Sequence, residues 1–102
     1  MLAEFSVTPV GEGVHVGKQV AQAVKVVKDS GLDYQLTALG TLLEGERVDV
    51  MKVILKAHEV LLATNERVYT RIVLDEFRHE TPGRIRSKVT KIEKELGVAL
   101  KK

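Results

Sequence analysis

From Leu2 to Thr8 apolar and polar positions alternate: Ala3, Phe5 and Val7 fall on one side, and Glu4, Ser6 and Thr8 on the other. A period of two with one apolar side predicts a half-buried strand, closed at Pro9. Beyond a glycine-containing stretch, Val16, Val20, Val24 and Val27 recur at helical spacing, with Gly17 placed as N-cap and Gly31 as C-terminal stop. Tyr34 to Ala38 alternates again. After Leu39-Gly40-Thr41 a second short run, Leu42-Leu43-Glu44, ends at Gly45, and the two runs predict a hairpin-like pair. A longer helix is predicted over 48–63, with Met51, Ile54, Leu55, His58, Leu61 and Leu62 on its mainly apolar face. Arg67 to Glu76 gives the clearest strand, setting Val68, Thr70, Ile72 and Leu74 against Tyr69, Arg71, Val73 and Asp75. After Pro82-Gly83 comes a last amphipathic helix carrying Ile85, Val89, Ile92 and Leu96, with a lysine-rich outer face.

This order predicts an α+β fold: a ferredoxin-like βαββαβ sandwich with an extra C-terminal helix, as one domain over 1–102. Four strands form one antiparallel sheet, the first two helices cover one face, and the other face is left bare. By alternation the bare face carries Glu4, Ser6, Thr8, Gln35, Thr37, Tyr69, Arg71, Val73 and Asp75. Such a mixture is too adhesive for idle surface and too polar for a core. It suits a partner subunit, with a small pocket at the seam.

Composition narrows the function. A formal net charge of +2 gives no electrostatic case for nucleic acid. The chain has no cysteine, which excludes disulfides, thiolate metal sites and cysteine nucleophiles. No apolar run approaches the roughly 20 residues that span a bilayer, and Glu4 interrupts the apolar N-terminus, which also lacks a basic region. The expected location is cytoplasmic, away from membranes.

The stretch TPVGEGVHVGK, Thr8 to Lys18, invites comparison with phosphate-binding loops. A P-loop requires glycine, four residues, then Gly-Lys-Ser/Thr, so that amides converge on phosphate and a hydroxyl reaches magnesium. Counting back from Gly17-Lys18 puts Glu12 at the required glycine, and Gln19 replaces the hydroxyl. The dinucleotide pattern misses too, because its third glycine falls on Val16 rather than Gly17. The glycines are read as a turn between strand and helix.

Three separated motifs carry a resemblance. They are Thr8-Pro9-x-Gly11-x-Gly13; Tyr34-x-Leu36 running to Gly40-Thr41-x-x-Glu44-Gly45; and Arg67-Val68-Tyr69-Thr70-x-Ile72-x-x-Asp75-x-x-Arg78. In order and spacing, over nearly the whole chain, these resemble the small single-domain thiamine-binding family. The resemblance implies a ferredoxin-like fold, subunits pairing through their sheets and usually building a tetramer, and binding of thiamine or its hydroxymethylpyrimidine moiety without established catalysis. That family often has serine at the start of the first helix, where Gly17 and Lys18 stand here.

An aminopyrimidine needs a donor and an acceptor, and a cationic thiazolium favours a nearby carboxylate. Glu44 is the candidate carboxylate, and Ser6, Thr8 and Thr41 are candidate hydroxyl contacts. Tyr34 offers a ring face to stack or to meet the cation, although its alternation with Leu36 turns it toward the helices and core packing. Arg71 and Asp75 share a strand face and suit an intersubunit ion pair; for Arg78 the default is a surface salt bridge. His58, central on its helix stripe, is read as a hydrogen-bonded, partly buried structural residue. The three histidines give no zinc spacing, so neither a metal nor a cofactor is expected. An RNA-binding module using the open sheet is the alternative, but such sheets need two or three exposed aromatics on central strands. Phe5 is expected on the covered face. An enzyme ranks last, since no nucleophile–base pair or paired acid emerges.

Overall fold

A computed structural model describes residues 1–11 and 17–101. The elements are β1 (Leu2–Pro9), α1 (Gly17–Asp29), β2 (Asp33–Leu36), β3 (Thr41–Glu44), α2 (Arg47–Leu62), β4 (Val68–Asp75) and α3 (Arg84–Leu96). The strands form one antiparallel sheet in the order β2-β3-β1-β4, the ferredoxin-like arrangement predicted above. The sequence readings that fall on Glu12, Gly13, His15 and Val16 lie outside the described residues.

Burial follows the alternation. Ala3, Phe5 and Val7 of β1 and Leu43 of β3 point into the helix layer, where Ala23 and Val27 of α1 meet Val50, Ile54, Ala57 and Leu61 of α2. On α2 those four buried residues recur at i, i+4, i+7 and i+11, which is one face of a 3.6-residue helix. This corrects the predicted stripe: Leu55 and Leu62 are exposed, and Met51 and His58 are half-buried. The axis of burial is rotated because one flank of α2 leans on α1 while the other overhangs the outer strand β4. His58, on that second flank, bonds through Nδ1 to Thr70 Oγ1 at 2.6 Å, as its structural reading requires.

Loop chemistry sets the joints. Gly31 closes α1 at φ 79°, a left-handed conformation that costs glycine little. Asn65 ends α2: its Nδ2 donates to Leu61 O at 2.7 Å and to Gln19 Oε1 of α1. In the β2–β3 turn Thr37 Oγ1 donates to Gly40 O and accepts from the Leu39 and Gly40 amides. A Cβ on Gly40 would lie 2.8 Å from Phe5 O, so backbone contact with β1 demands glycine there.

Candidate functional site

Along β1 and β4 the bare sheet face is as the alternation predicts, whereas Thr37, expected on it, lies in the β2–β3 turn because β2 ends at Leu36. Ser6 pairs across β1–β4 with Arg71, Thr8 with Tyr69 and Glu4 with Val73; on the other side Glu4 faces Leu42 and Leu2 faces Glu44. Thr8, Tyr69, Arg71 and Val73 are exposed, while Glu4, Ser6 and Leu42 are half-buried. Glu4, Ser6, Leu39, Arg71 and Val73 surround a depression too shallow to enclose a heterocycle within one copy.

The five residues read from the sequence as ligand contacts do not converge. Ser6, Thr8 and Glu44 lie on the bare face. Thr41, 5% exposed, and half-buried Tyr34 lie on the helix side, where Tyr34 packs against the core. Thr41 and Glu44 are three residues apart on one strand, so the pleat turns them to opposite faces. Because Leu2 stands opposite Glu44, Ser6 is about 13 Å further along β1 at roughly 3.3 Å per residue.

Glu44 has an intramolecular task. Helix α3 is preceded by Gly83, whose φ is 91°, and that N-cap glycine offers no side-chain cap. Glu44 supplies the acceptor from about forty residues earlier. Its Oε2 accepts from the Gly83 and Arg84 amides at 2.9 and 3.1 Å, and its Oε1 from the Ile85 amide at 3.1 Å. A carboxylate here satisfies orphan N–H groups and complements the helix dipole. An ionised carboxylate has about four acceptor positions, so one remains on Oε1.

Glu80 ties the same joint from the other side. It accepts from the Met1 ammonium, the Phe77 amide at 2.7 Å and Arg84 Nη1 at 2.8 Å. Arg84 also reaches Asp75 Oδ2 at 3.0 Å and lies over the Phe77 ring. Asp75 therefore has a partner within the chain. Arg71 and Arg78 have no ion pair among the described residues, contrary to the salt bridge expected of Arg78. The Met1 ammonium, followed by the Phe77 amide and Arg84, holds the Glu80 carboxyl below the ordinary glutamate range. A carboxylate with a lowered folded pKa stabilises above its unfolded value, near 4.3, and loses that contribution as pH falls through the folded value. Urea midpoints of the native chain and of Glu80→Gln should differ at neutral pH and draw together as pH falls below the unfolded value and through the lower folded one.

Beside this joint is a cleft of about 420 Å³, lined in part by Asp33, Glu44, Glu46, Asp49 and Glu80. Asp33 is paired with Arg86 at 2.8 Å. Glu46 and Asp49 have no ion pair among the described residues. Both carboxylates belong to the start of α2, where the helix dipole favours negative charge. A larger groove, about 660 Å³, runs between α1 and α2 and is walled by Lys25, Lys52 and Lys56 together with Asp29 and Asp49, Lys25 being paired with Asp29. Apart from the Met1 ammonium, the charged side of the smaller cleft is acidic, whereas the groove mixes both signs. The sequence reading missed Glu46 and Asp49; the available signal was an uncapped helix start crowded with carboxylates, Glu44-Gly-Glu46-Arg-Val-Asp49. Among the described residues no cluster of three or more potential ligands could hold a metal ion, and no helix is long and apolar enough to cross a membrane.

Fold and site together define a small ferredoxin-like α+β protein with an acidic cleft at one end of its sheet. The chain belongs to the thiamine-binding protein family, whose model matches residues 3–93. The UPF0045 protein Mb1933 of Mycobacterium bovis is 43% identical over 76 residues, 74% of this chain and 74% of the relative. A UPF0045 protein of Methanothermobacter thermautotrophicus is 36% identical over 97 residues, 92% of this chain and 97% of its own. The crystal structure of the hypothetical protein MJ1052 from Methanocaldococcus jannaschii superposes with a TM-score of 0.77 at 30% identity, covering 94% of each chain.

Proposed function

We propose that this protein is a non-catalytic binder of thiamine or its hydroxymethylpyrimidine moiety, with the cation held in the acidic cleft beside Glu44. The carrying observation is that cleft: about 420 Å³, with the unpaired carboxylates Glu46 and Asp49 at its wall. Glu46 and Asp49 face the thiazolium, and the free acceptor position on Glu44 Oε1 takes the pyrimidine amino group. A sister copy packs on the bare sheet face and brings its Ser6 and Thr8 hydroxyls toward the seam. Tyr34 and Thr41 serve this reading as the packed wall behind β3. Further assembly to a tetramer is part of the same proposal.

Isothermal calorimetry with thiamine tests it. Removing one charge-assisted partner is worth about 1.5–3 kcal/mol, so Glu46→Gln should weaken thiamine binding by about tenfold or more while costing no more than the roughly 0.3–1 kcal/mol that a negative charge contributes at a helix start. Unchanged affinity in that variant, or no heat with the native chain, sinks the reading. The RNA alternative gains no aromatic platform: Phe5 is 4% exposed beneath the helices, leaving Tyr69 as the aromatic on the bare face. Salt-sensitive RNA binding without any vitamin response would revive it.

A further inference from the structure

The acidic cleft continues into a second space. Leu32 and Asp49 line both that cleft and the larger groove between α1 and α2, so the two adjoin. The cleft's volume of about 420 Å³ is toward the lower end of the roughly 300–1,000 Å³ range of small-molecule sites, and the groove adds about 660 Å³. Val26, Leu32 and Val53 give the groove an apolar wall, and all three pack against the core, which fixes its shape.

Charge changes sign along this path. Asp49, Lys52 and Lys56 stand at i, i+3 and i+7 of α2, which places them on one face of the helix. At a rise of about 1.5 Å per residue, Lys52 lies about 4.5 Å and Lys56 about 10.5 Å beyond Asp49 along the axis. Both lysines are exposed, and neither has an ion pair among the described residues. The remaining charges of the groove, Lys25 and Asp29, answer each other at 2.7 Å. Past Asp49, then, the uncommitted charge of the groove is positive. Lys56 also leans toward α1: after the larger effect of the Lys25 bond, its charge helps to hold the Asp29 carboxyl below the ordinary aspartate range.

We infer that the groove is an anion subsite continuous with the cleft, and that the preferred ligand is a phosphate ester of the cationic heterocycle rather than the free alcohol, an inference resting on the cleft reading above. With the thiazolium beside Glu46 and Asp49, its hydroxyethyl arm extends past Asp49 toward Lys52. A phosphoryl group on that arm meets the Lys52 ammonium, and a second, in a diphosphate, reaches on toward Lys56. One helix face thus offers a carboxylate and then two ammonium groups, the order of a ligand whose cation is followed by its anion. A free hydroxyl in the same place leaves both ammonium groups without an opposite charge. Other cations near the cleft are committed, Arg84 to Asp75 and Glu80, and Arg86 to Asp33. Arg78, which is unpaired, lines a separate cavity that shares Glu46 with the cleft and includes neither lysine.

Calorimetry of the native chain with thiamine, its monophosphate and its diphosphate reads the subsite as a ratio of affinities. Exposed ion pairs are individually weak, so the diphosphate should bind about three- to tenfold more tightly than thiamine, with the monophosphate between them. The advantage should shrink as salt screens the lysines. Lys52→Gln combined with Lys56→Gln should bring the three affinities together, and Lys56→Glu should make the diphosphate the weaker ligand. Arg78→Gln removes an equal charge outside the groove and should leave the ratio as it is. All three positions are exposed, so these variants do not threaten the fold. Esters that bind the native chain no better than thiamine overturn the inference. So does an ester advantage that survives the double lysine variant or disappears with Arg78→Gln. If thiamine and its esters all give no heat, the cleft reading fails, and inorganic diphosphate titrated alone still tests the subsite: heat lost in the double lysine variant supports it, and no heat overturns it.

Discussion

Replacing Ile54 by alanine should lower stability by about 2–5 kcal/mol, and Val48→Ala, two turns away on the same helix, should change it by no more than about 0.5 kcal/mol. Ile54 is fully buried on α2, among Val50, Ala57 and Leu61 of its own helix, Phe5 and Leu43 of the sheet and Val27 of α1. Truncation removes apolar contacts and leaves a cavity that three rigid elements cannot close. Val48 is 76% exposed, so truncating it leaves solvent where solvent already was. For a chain of about this size each kcal/mol moves Tm by about 4–8 °C. Thermal unfolding followed by circular dichroism should therefore show a fall of at least about 8 °C for Ile54→Ala. Equal losses at the two positions would mean that the burial face of α2 is not the one described.

The α2 stripe shows what the sequence could and could not specify. The helix contains Val48, Val50, Met51, Val53, Ile54, Leu55, Val60, Leu61 and Leu62, apolar around most of its circumference. Periodicity identifies a helix there, but such a pattern does not choose one axis of burial. The choice is made by tertiary packing, with α1 against one flank and the uncovered edge of β4 at the other. β1 and β4 were legible to nearly their last residue because a period of two assigns every side chain to a face. The same rule, applied within β3, separates Thr41 from Glu44 across the sheet. Distances along the sheet were beyond the sequence, since they depend on the pairing of Leu2 with Glu44. The bond between Glu44 and α3 left a subtler trace. Pro82-Gly83-Arg84 opens that helix without Ser, Thr, Asp or Asn at its start, and a helix without its own cap needs an acceptor from elsewhere in the chain.

That acceptor makes Glu44→Ala the most consequential change near the cleft. Gly83, Arg84 and Ile85 would each lose a carboxylate partner, and the partly buried Ile85 joint would be left with orphan donors. Hydrogen bonds to a charged group contribute about 1.5–3 kcal/mol, so an overall loss of about 2–3 kcal/mol is expected in urea denaturation. The amides of 83–85 should then exchange with solvent faster than those of α2, which keeps its packing against the sheet. Thiamine affinity should fall as well, because the free position on Oε1 vanishes with the other contacts. Glu46→Gln separates the two roles. It removes negative charge from the cleft without touching α3, so affinity falls while the amides of 83–85 keep their protection. If Glu44→Ala weakens the ligand but leaves stability and amide exchange unchanged, the carboxylate is not holding α3. If it destabilises the chain and Glu46→Gln leaves thiamine binding intact, the cleft is a structural joint and the vitamin binds elsewhere.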